Sequence, residues 1–183
     1  DICPSRGLGD VYKRQSLTGL SMSIGSYSNS YVKTSADESK KDKRNAKLPL
    51  VVATWNVKSA TSKAWEVLSN GGSALDAVEQ GCRVEEANEK GQSVGRGGLP
   101  DRDGHVTLDA CIMNAEGNAG SVVYLQNVTH AVSVARKVME DTPHVMLAGK
   151  GAEEFALKKG FKKENLLTDI SKKAWEKLSL IHI

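Results

Sequence analysis

The stretch from His105 to Met113 constrains the fold most. Its residues alternate, with Val106, Leu108, Ala110 and Ile112 on one face and Thr107, Asp109, Cys111 and Met113 on the other. Strand side chains point to opposite faces with a period of two, so this run predicts a strand with two distinct faces. Asp103-Gly104 just ahead of it is a turn signal. Asn114-Ala115-Glu116-Gly117-Asn118 is a hairpin-sized connection to a second run, Ala119 to Leu125, so the two strands are expected to be antiparallel neighbours.

Upstream, Leu48-Pro49-Leu50-Val51-Val52-Ala53-Thr54-Trp55 is β-branched and follows a proline, which reads as a strand buried on both faces. Ala60, Ala64, Trp65 and Leu68 recur at helical spacing until Asn70-Gly71-Gly72 stops that helix. Ser73, with Asp76 three residues on, caps a second helix whose apolar face is expected to hold Ala74, Leu75, Val78 and Cys82. After the hairpin come a helix from about Val132 to Met139 that gives way at Thr142-Pro143, and a short apolar stretch from His144 to Ala148. A helix around Ala152 to Lys159, stopped by Gly160, and a last amphipathic piece opened by Ser171 complete the chain. This order predicts a layered α+β protein with sheet hairpins, not a repeating βαβ nucleotide-binding domain.

The formal charge of +3 suggests a basic protein until it is partitioned. Residues 1–47 hold nine Lys/Arg against five Asp/Glu, which leaves sixteen against seventeen for residues 48–183. The positive charge belongs to a tail, so no nucleic-acid partner is expected. That tail, residues 1–47, is rich in Ser, Gly and Lys and cannot bury enough apolar surface to offset its ordering entropy. Within it, Ser16-Leu17-Thr18-Gly19-Leu20-Ser21-Met22-Ser23-Ile24-Gly25 resembles the middle of a secretory signal. A periplasmic or secreted location is therefore expected, with a cytoplasmic one as the alternative. Asp10–Gln15 and Leu178–Ile183 resemble translated adaptor sequence, so residues 1–15 and 179–183 are expected to carry no fold information. No apolar run reaches the roughly 20 residues of a spanning helix, and no membrane partner is expected.

Cys3, Cys82 and Cys111 form neither a C-x-x-C nor an even set, and His105, His130, His144 and His182 lie without metal-ligand spacing. Buried free thiols are expected at Cys82 and Cys111, and neither a metal nor a cofactor is expected. Ser93-Val94-Gly95-Arg96-Gly97-Gly98 is Gly-rich but does not fit G-x-G-x-x-G and lacks a G-K-[ST] ending, so a loop needing close backbone approach outweighs a phosphate cradle. Asp101-Arg102-Asp103-Gly104 is too short for a calcium loop and reads as a turn. Asp109, on an otherwise apolar or small strand, is either catalytic or a buried structural hydrogen-bond acceptor. Trp55 either lines a pocket or packs in a core. Asn127-Val128-Thr129 is a formal glycosylation acceptor.

Five collinear blocks then carry a resemblance. Val51-Val52-Ala53-Thr54-Trp55-Asn56, Asn70-Gly71-Gly72-Ser73-Ala74-Leu75-Asp76-Ala77-Val78-Glu79, Ser93–Gly98 with Pro100-Asp101, Val106-Thr107-Leu108-Asp109-Ala110, and Ser133–Met139 through Thr142–Leu147 resemble the α subunit of the glycosylasparaginase family, from about Leu48 to about Leu178. The related plant-type asparaginases and isoaspartyl peptidases typically carry N-A-G-x-G-S where this chain has Ser93–Gly98, which favours the glycosylasparaginase branch.

The resemblance implies an N-terminal nucleophile hydrolase, here an incomplete αββα four-layer sandwich over residues 48–178, made as a precursor that cuts itself before a threonine. It implies hydrolysis of the amide between N-acetylglucosamine and an asparagine side chain, with the threonine as nucleophile and its free amine as base. A terminal amine with a pKa of about 7.7 to 8.0 can take a proton near neutrality without a metal. By the same resemblance Trp55 walls the substrate pocket and Ser93 hydrogen-bonds near the nucleophile's amine. The implied partners are a small glycosylated asparagine and a β subunit from the same precursor, in an αβ heterodimer or a dimer of it. His-Asp-Thr occurs nowhere in the sequence, so the chain alone is expected to be inert. The alternatives are an L-asparaginase or isoaspartyl peptidase, and a non-catalytic binding or scaffold subunit.

Overall fold

A computed structural model describes residues 49–181 of the chain. The basic tail and its signal-like stretch lie outside the described residues. Lys58–Ser69 forms α1 and Ala74–Glu86 forms α2, a helical hairpin. Gly71, at φ +81°, makes the turn. The Ser73 hydroxyl accepts the Asp76 amide at 3.1 Å and donates to the Asp76 carboxylate at 2.6 Å, so the capping pair reads as expected.

The buried face of α2 differs from the expected one. Ala77, Gly81 and Glu86 are buried and Leu75 is half-buried, whereas Ala74, Val78 and Cys82 are exposed. Small residues win because the helices of the hairpin approach so closely: a Cβ at Gly81 would lie 2.9 Å from the Ala60 carbonyl and 3.3 Å from the Ala64 methyl. Bulkier Val78 is left facing outward.

A three-stranded sheet follows. β1 (Leu108–Met113) pairs antiparallel with β2 (Ala119–Leu125), and β2 pairs parallel with β3 (Met146–Ala148), in the order β1-β2-β3. Asn114 closes the hairpin: its amide donates to the Asn118 carbonyl at 3.0 Å, and its side-chain oxygen accepts the Glu116 and Asn118 amides at 3.1 and 2.9 Å. Between β2 and β3 runs α3 (Ala131–Asp141), the crossover that parallel pairing demands. The short apolar stretch read at His144 to Ala148 thus contributes a strand, and the sheet holds one βαβ crossover beside its hairpin.

α3 covers one sheet face. Leu108, Ile112, Val122 and Leu125 pack there with Val132, Val134, Ala135 and Val138, and α4 (Gly149–Lys158) adds Ala152 and Ala156. The approach is closest at Gly120, where an added Cβ would lie 2.2 Å from the Ala135 carbonyl oxygen. Only glycine fits there. The opposite face holds Asp109, Cys111, Met113, Val123 and Tyr124, all exposed. The predicted two faces are real, and among the described residues helix covers only one.

Three further expectations are corrected. Residues 49–57 form no strand: Val52 and Trp55 are each 80% exposed, and no strand lies beside them among the described residues to take up their backbone groups. Cys82 and Cys111 are exposed, not buried, because they sit on the uncovered faces of α2 and β1. Ser171 does not open the last helix. α5 spans Asp169–Ile181, with Thr168 ahead of it accepting the Ser171 amide on its hydroxyl and the Lys172 amide on its carbonyl.

Candidate functional site

The Gly-rich loop from Ser93 to Gly98 is fastened from two sides. From α2, the Glu86 carbonyl accepts the Arg96 amide at 2.7 Å. Gly95, at φ +61°, lies so close to the same residue that a Cβ would stand 2.0 Å from the Glu86 carbonyl oxygen. On the other side the Leu166 carbonyl accepts the Gly97 amide at 2.8 Å, and the fully buried Ser171 hydroxyl donates to the Gly97 carbonyl. The glycines serve close backbone approach, as their spacing predicted. Ser93 is exposed at the head of the loop and makes no hydrogen bond among the described residues.

Glu86 also reaches forward. Its buried carboxylate accepts the Val132 amide at 2.8 Å and lies 3.3 Å from His130 Nδ1, so it caps the first turn of α3. A carboxylate suits a helix N-terminus, where the unpaired amides carry positive partial charge. One residue thereby ties the Ser93 loop to the helix that covers the sheet.

Asp109 stands on the open sheet face, where Oδ1 accepts the Tyr124 amide at 2.7 Å. Tyr124 has φ +55° and sits where the register slips between Leu108 and Ala110, a bulge in β2. Asp109 thus makes the structural hydrogen bond that one reading expects, but as an exposed carboxylate, not a buried one. Asp101 likewise serves its turn, accepting the Asp103 and His105 amides at 2.9 Å each. The His105 amide leads the bonds that hold its carboxyl below the usual range. Among the described residues no three His, Cys, Asp or Glu side chains converge as metal ligands would. At the formal glycosylation acceptor, Asn127 donates to Glu153 at 3.1 Å and the buried Thr129 hydroxyl donates to Glu164.

Among the described residues two clefts stand out, and neither is lined by Trp55 or Ser93. One, of about 370 Å³, lies between Leu50, Val51 and the Thr61, Ser62 and Trp65 side of α1. The other, of about 290 Å³, lies between α2 and α3 and is lined by charge. There Arg136 Nη1 meets Asp76 at 2.6 Å and Glu79 at 2.7 Å, while Nε meets Glu140 at 2.6 Å. Ser133 links Arg83 to Glu79 at 2.9 and 2.5 Å. Hydrogen bonds from Ser73 and then Arg136 hold the Asp76 carboxyl below its ordinary range, and Arg136 does the same for Glu140. Opposite charges are paired throughout, so this cleft is a strut between helices. Two of the blocks that carry the resemblance meet in it.

Trp55 and Ser93 are thus both solvent-facing, on separate loops, with no hydrogen bond joining them. The residues that position the Ser93 loop, Glu86 and Ser171, escape any local pattern.

The family model described as asparaginase matches residues 32–181. Over 129 residues, 70% of the chain, the sequence is 59% identical to the N(4)-(beta-N-acetylglucosaminyl)-L-asparaginase of Elizabethkingia miricola, covering 38% of that protein. It is 49% identical over 126 residues, 68% of the chain, to the protein of the same name from Rattus norvegicus, covering 36% of it. The chain therefore spans a little over a third of the length of these relatives.

Proposed function

From the premise that the chain belongs to the asparaginase family, we propose that its protein hydrolyses the amide bond between N-acetylglucosamine and an asparagine side chain. The observation that carries this reading is the identity shared with proteins named for that reaction. In this reading the layers described here are one half of an αββα sandwich. The uncovered sheet face, with Cys111, Met113 and Val123, receives a second sheet from a β subunit of the same precursor. A threonine of that subunit, freed by self-cleavage, is the nucleophile, and its own α-amine takes the proton. Trp55, at 80% exposure, is free to wall a pocket completed by the partner, and Ser93 is free to bond near the amine. Export to the periplasm or outside the cell belongs to the same proposal, on the strength of the signal-like stretch Ser16–Gly25.

The test is turnover by the protein expressed from its complete reading frame. Release of aspartate from a glycosylated asparagine, lost in Trp55→Ala without loss of folding, is the expected result. Release from β-aspartyl dipeptides alone would identify an isoaspartyl peptidase instead. Binding of both without turnover would identify a non-catalytic subunit.

A further inference from the structure

We infer that Ser171, on α5, is a positioning residue that sets the loop carrying Ser93; the inference rests on the hydrolase reading for its catalytic consequence, and on geometry alone for the loop. The Ser171 side chain is wholly buried, although it lies in a helix whose neighbouring residues Lys172 and Lys173 are exposed. Its hydroxyl donates to the carbonyl of Gly97, 74 residues earlier in the chain. Without that donor the Gly97 carbonyl would stay buried and unpaired, a desolvation cost that moving the loop toward water would relieve.

The surroundings leave the hydroxyl in place for that bond. Thr168 Oγ1 accepts the Ser171 amide and donates to the Ser171 hydroxyl oxygen, each at 3.3 Å, which leaves the single Ser171 hydroxyl proton for Gly97. The same strand of backbone is held one atom group away by Leu166, which accepts the Gly97 amide at 2.8 Å. One turn further along α5, the Trp175 ring lies against the next turn of the chain, where a Cβ at Gly104 would meet it at 3.4 Å. α5 therefore grips the segment between α2 and β1 at two points. Glu86 holds the opposite flank through Arg96 and Gly95. Ser93 stands four residues from Gly97 and has no hydrogen bond of its own among the described residues, so its position is inherited from these anchors.

The experiment compares Ser171→Ala and Ser171→Cys with the parent, each expressed from the complete reading frame. Cysteine keeps nearly the size and offers a much weaker donor, so it tests the bond if alanine fails to fold. Amide exchange is expected to rise about tenfold or more across residues 92–99 and to stay unchanged in α3. Uniformly faster exchange, or none in the loop, would overturn the inference. In turnover of a glycosylated asparagine, a displaced Ser93 should move the acid limb of the kcat profile, because the serine bonds near the base. A loss of folded enzyme would scale the profile without moving that limb, and this would also overturn the catalytic role. If the parent protein shows no such turnover, the hydrolase reading fails by itself, and the exchange result still decides whether Ser171 holds the loop.

Discussion

The carboxylate of Glu86, in the last turn of α2, accepts the backbone amide of Val132 in the first turn of α3 at 2.8 Å. The residue ahead of α3, His130, makes no side-chain cap to the helix backbone, so a distant acid does the work of a local cap. Glu86→Ala leaves the buried Val132 amide unpaired and should destabilise the protein by about 2 to 3 kcal/mol. Glu86→Gln keeps an acceptor without the charge that favours a helix N-terminus, and should lose about half as much. Urea unfolding midpoints for the two variants measure this. An alanine variant as stable as the parent would show that the bond contributes nothing.

Arg136 supports a prediction about acid. The Asp76 and Glu140 carboxyls are held below their ordinary values of 3.8 and 4.5, by Ser73 and Arg136 for the first and by Arg136 foremost for the second. A depressed folded-state value adds stability above the ordinary value, and that stability disappears as the pH falls through the depressed one. Melting temperature should therefore decline below about pH 4.5 as these carboxyls take up protons. Arg136→Met should cost about 1 to 3 kcal/mol at neutral pH, since it removes the nearer of the two arginines from the half-buried Glu79 and leaves it the Ser133 hydroxyl and Arg83 at 4.0 Å. It should also flatten the acid decline. A variant that melts lower but keeps the full acid slope would place that slope elsewhere.

Tyr124 and Asp109 can be separated by a double-mutant cycle. A non-glycine residue at φ +55° costs roughly 1 to 2 kcal/mol, and the Asp109 bond to its amide offsets part of that. Asp109→Ala should destabilise by about 1 kcal/mol in the parent and by clearly less in a Tyr124→Gly background, where the left-handed conformation is free of strain. Equal losses in both backgrounds would mean that the carboxylate does not support the bulge.

What could be read in advance divides by sequence distance. The α1–α2 turn, the Ser73 cap and the hairpin at Asn114–Asn118 depend on neighbours within a few residues, and local chemistry specifies them. The strand faces follow from a period of two. The buried side of α2 is not legible in its hydrophobic spacing, because Ala77 and Gly81 make the contact through their smallness, which hydrophobicity does not register. The segment from Leu48 to Trp55 has a strand-like composition, but over its described part, residues 49–55, no strand among the described residues pairs with it, and pairing is not a local property. The anchors Glu86–Val132 and Ser171–Gly97 join residues 46 and 74 positions apart. No pattern in a short window marks a glutamate or a serine for such a role. Trp55 and Ser93 follow from the resemblance alone; both are exposed, and of the two only the loop that carries Ser93 is held by those unmarked residues.

Cys111 reports on the uncovered sheet face. Its thiol is exposed on β1, between Asp109 and Met113 on the side away from α3. The proposed second sheet would lie over this position, and stacked sheets sit roughly 10 Å apart with interleaved side chains that exclude solvent. With Cys3 and Cys82 replaced by serine, Cys111 in the protein from the complete reading frame should react with a thiol reagent at least about a hundredfold more slowly than in the 183-residue chain alone. Denaturation should abolish the difference. If the thiol reacts equally fast in both, the face is open in the complete protein, and the sandwich that the hydrolase reading requires is not built on this sheet.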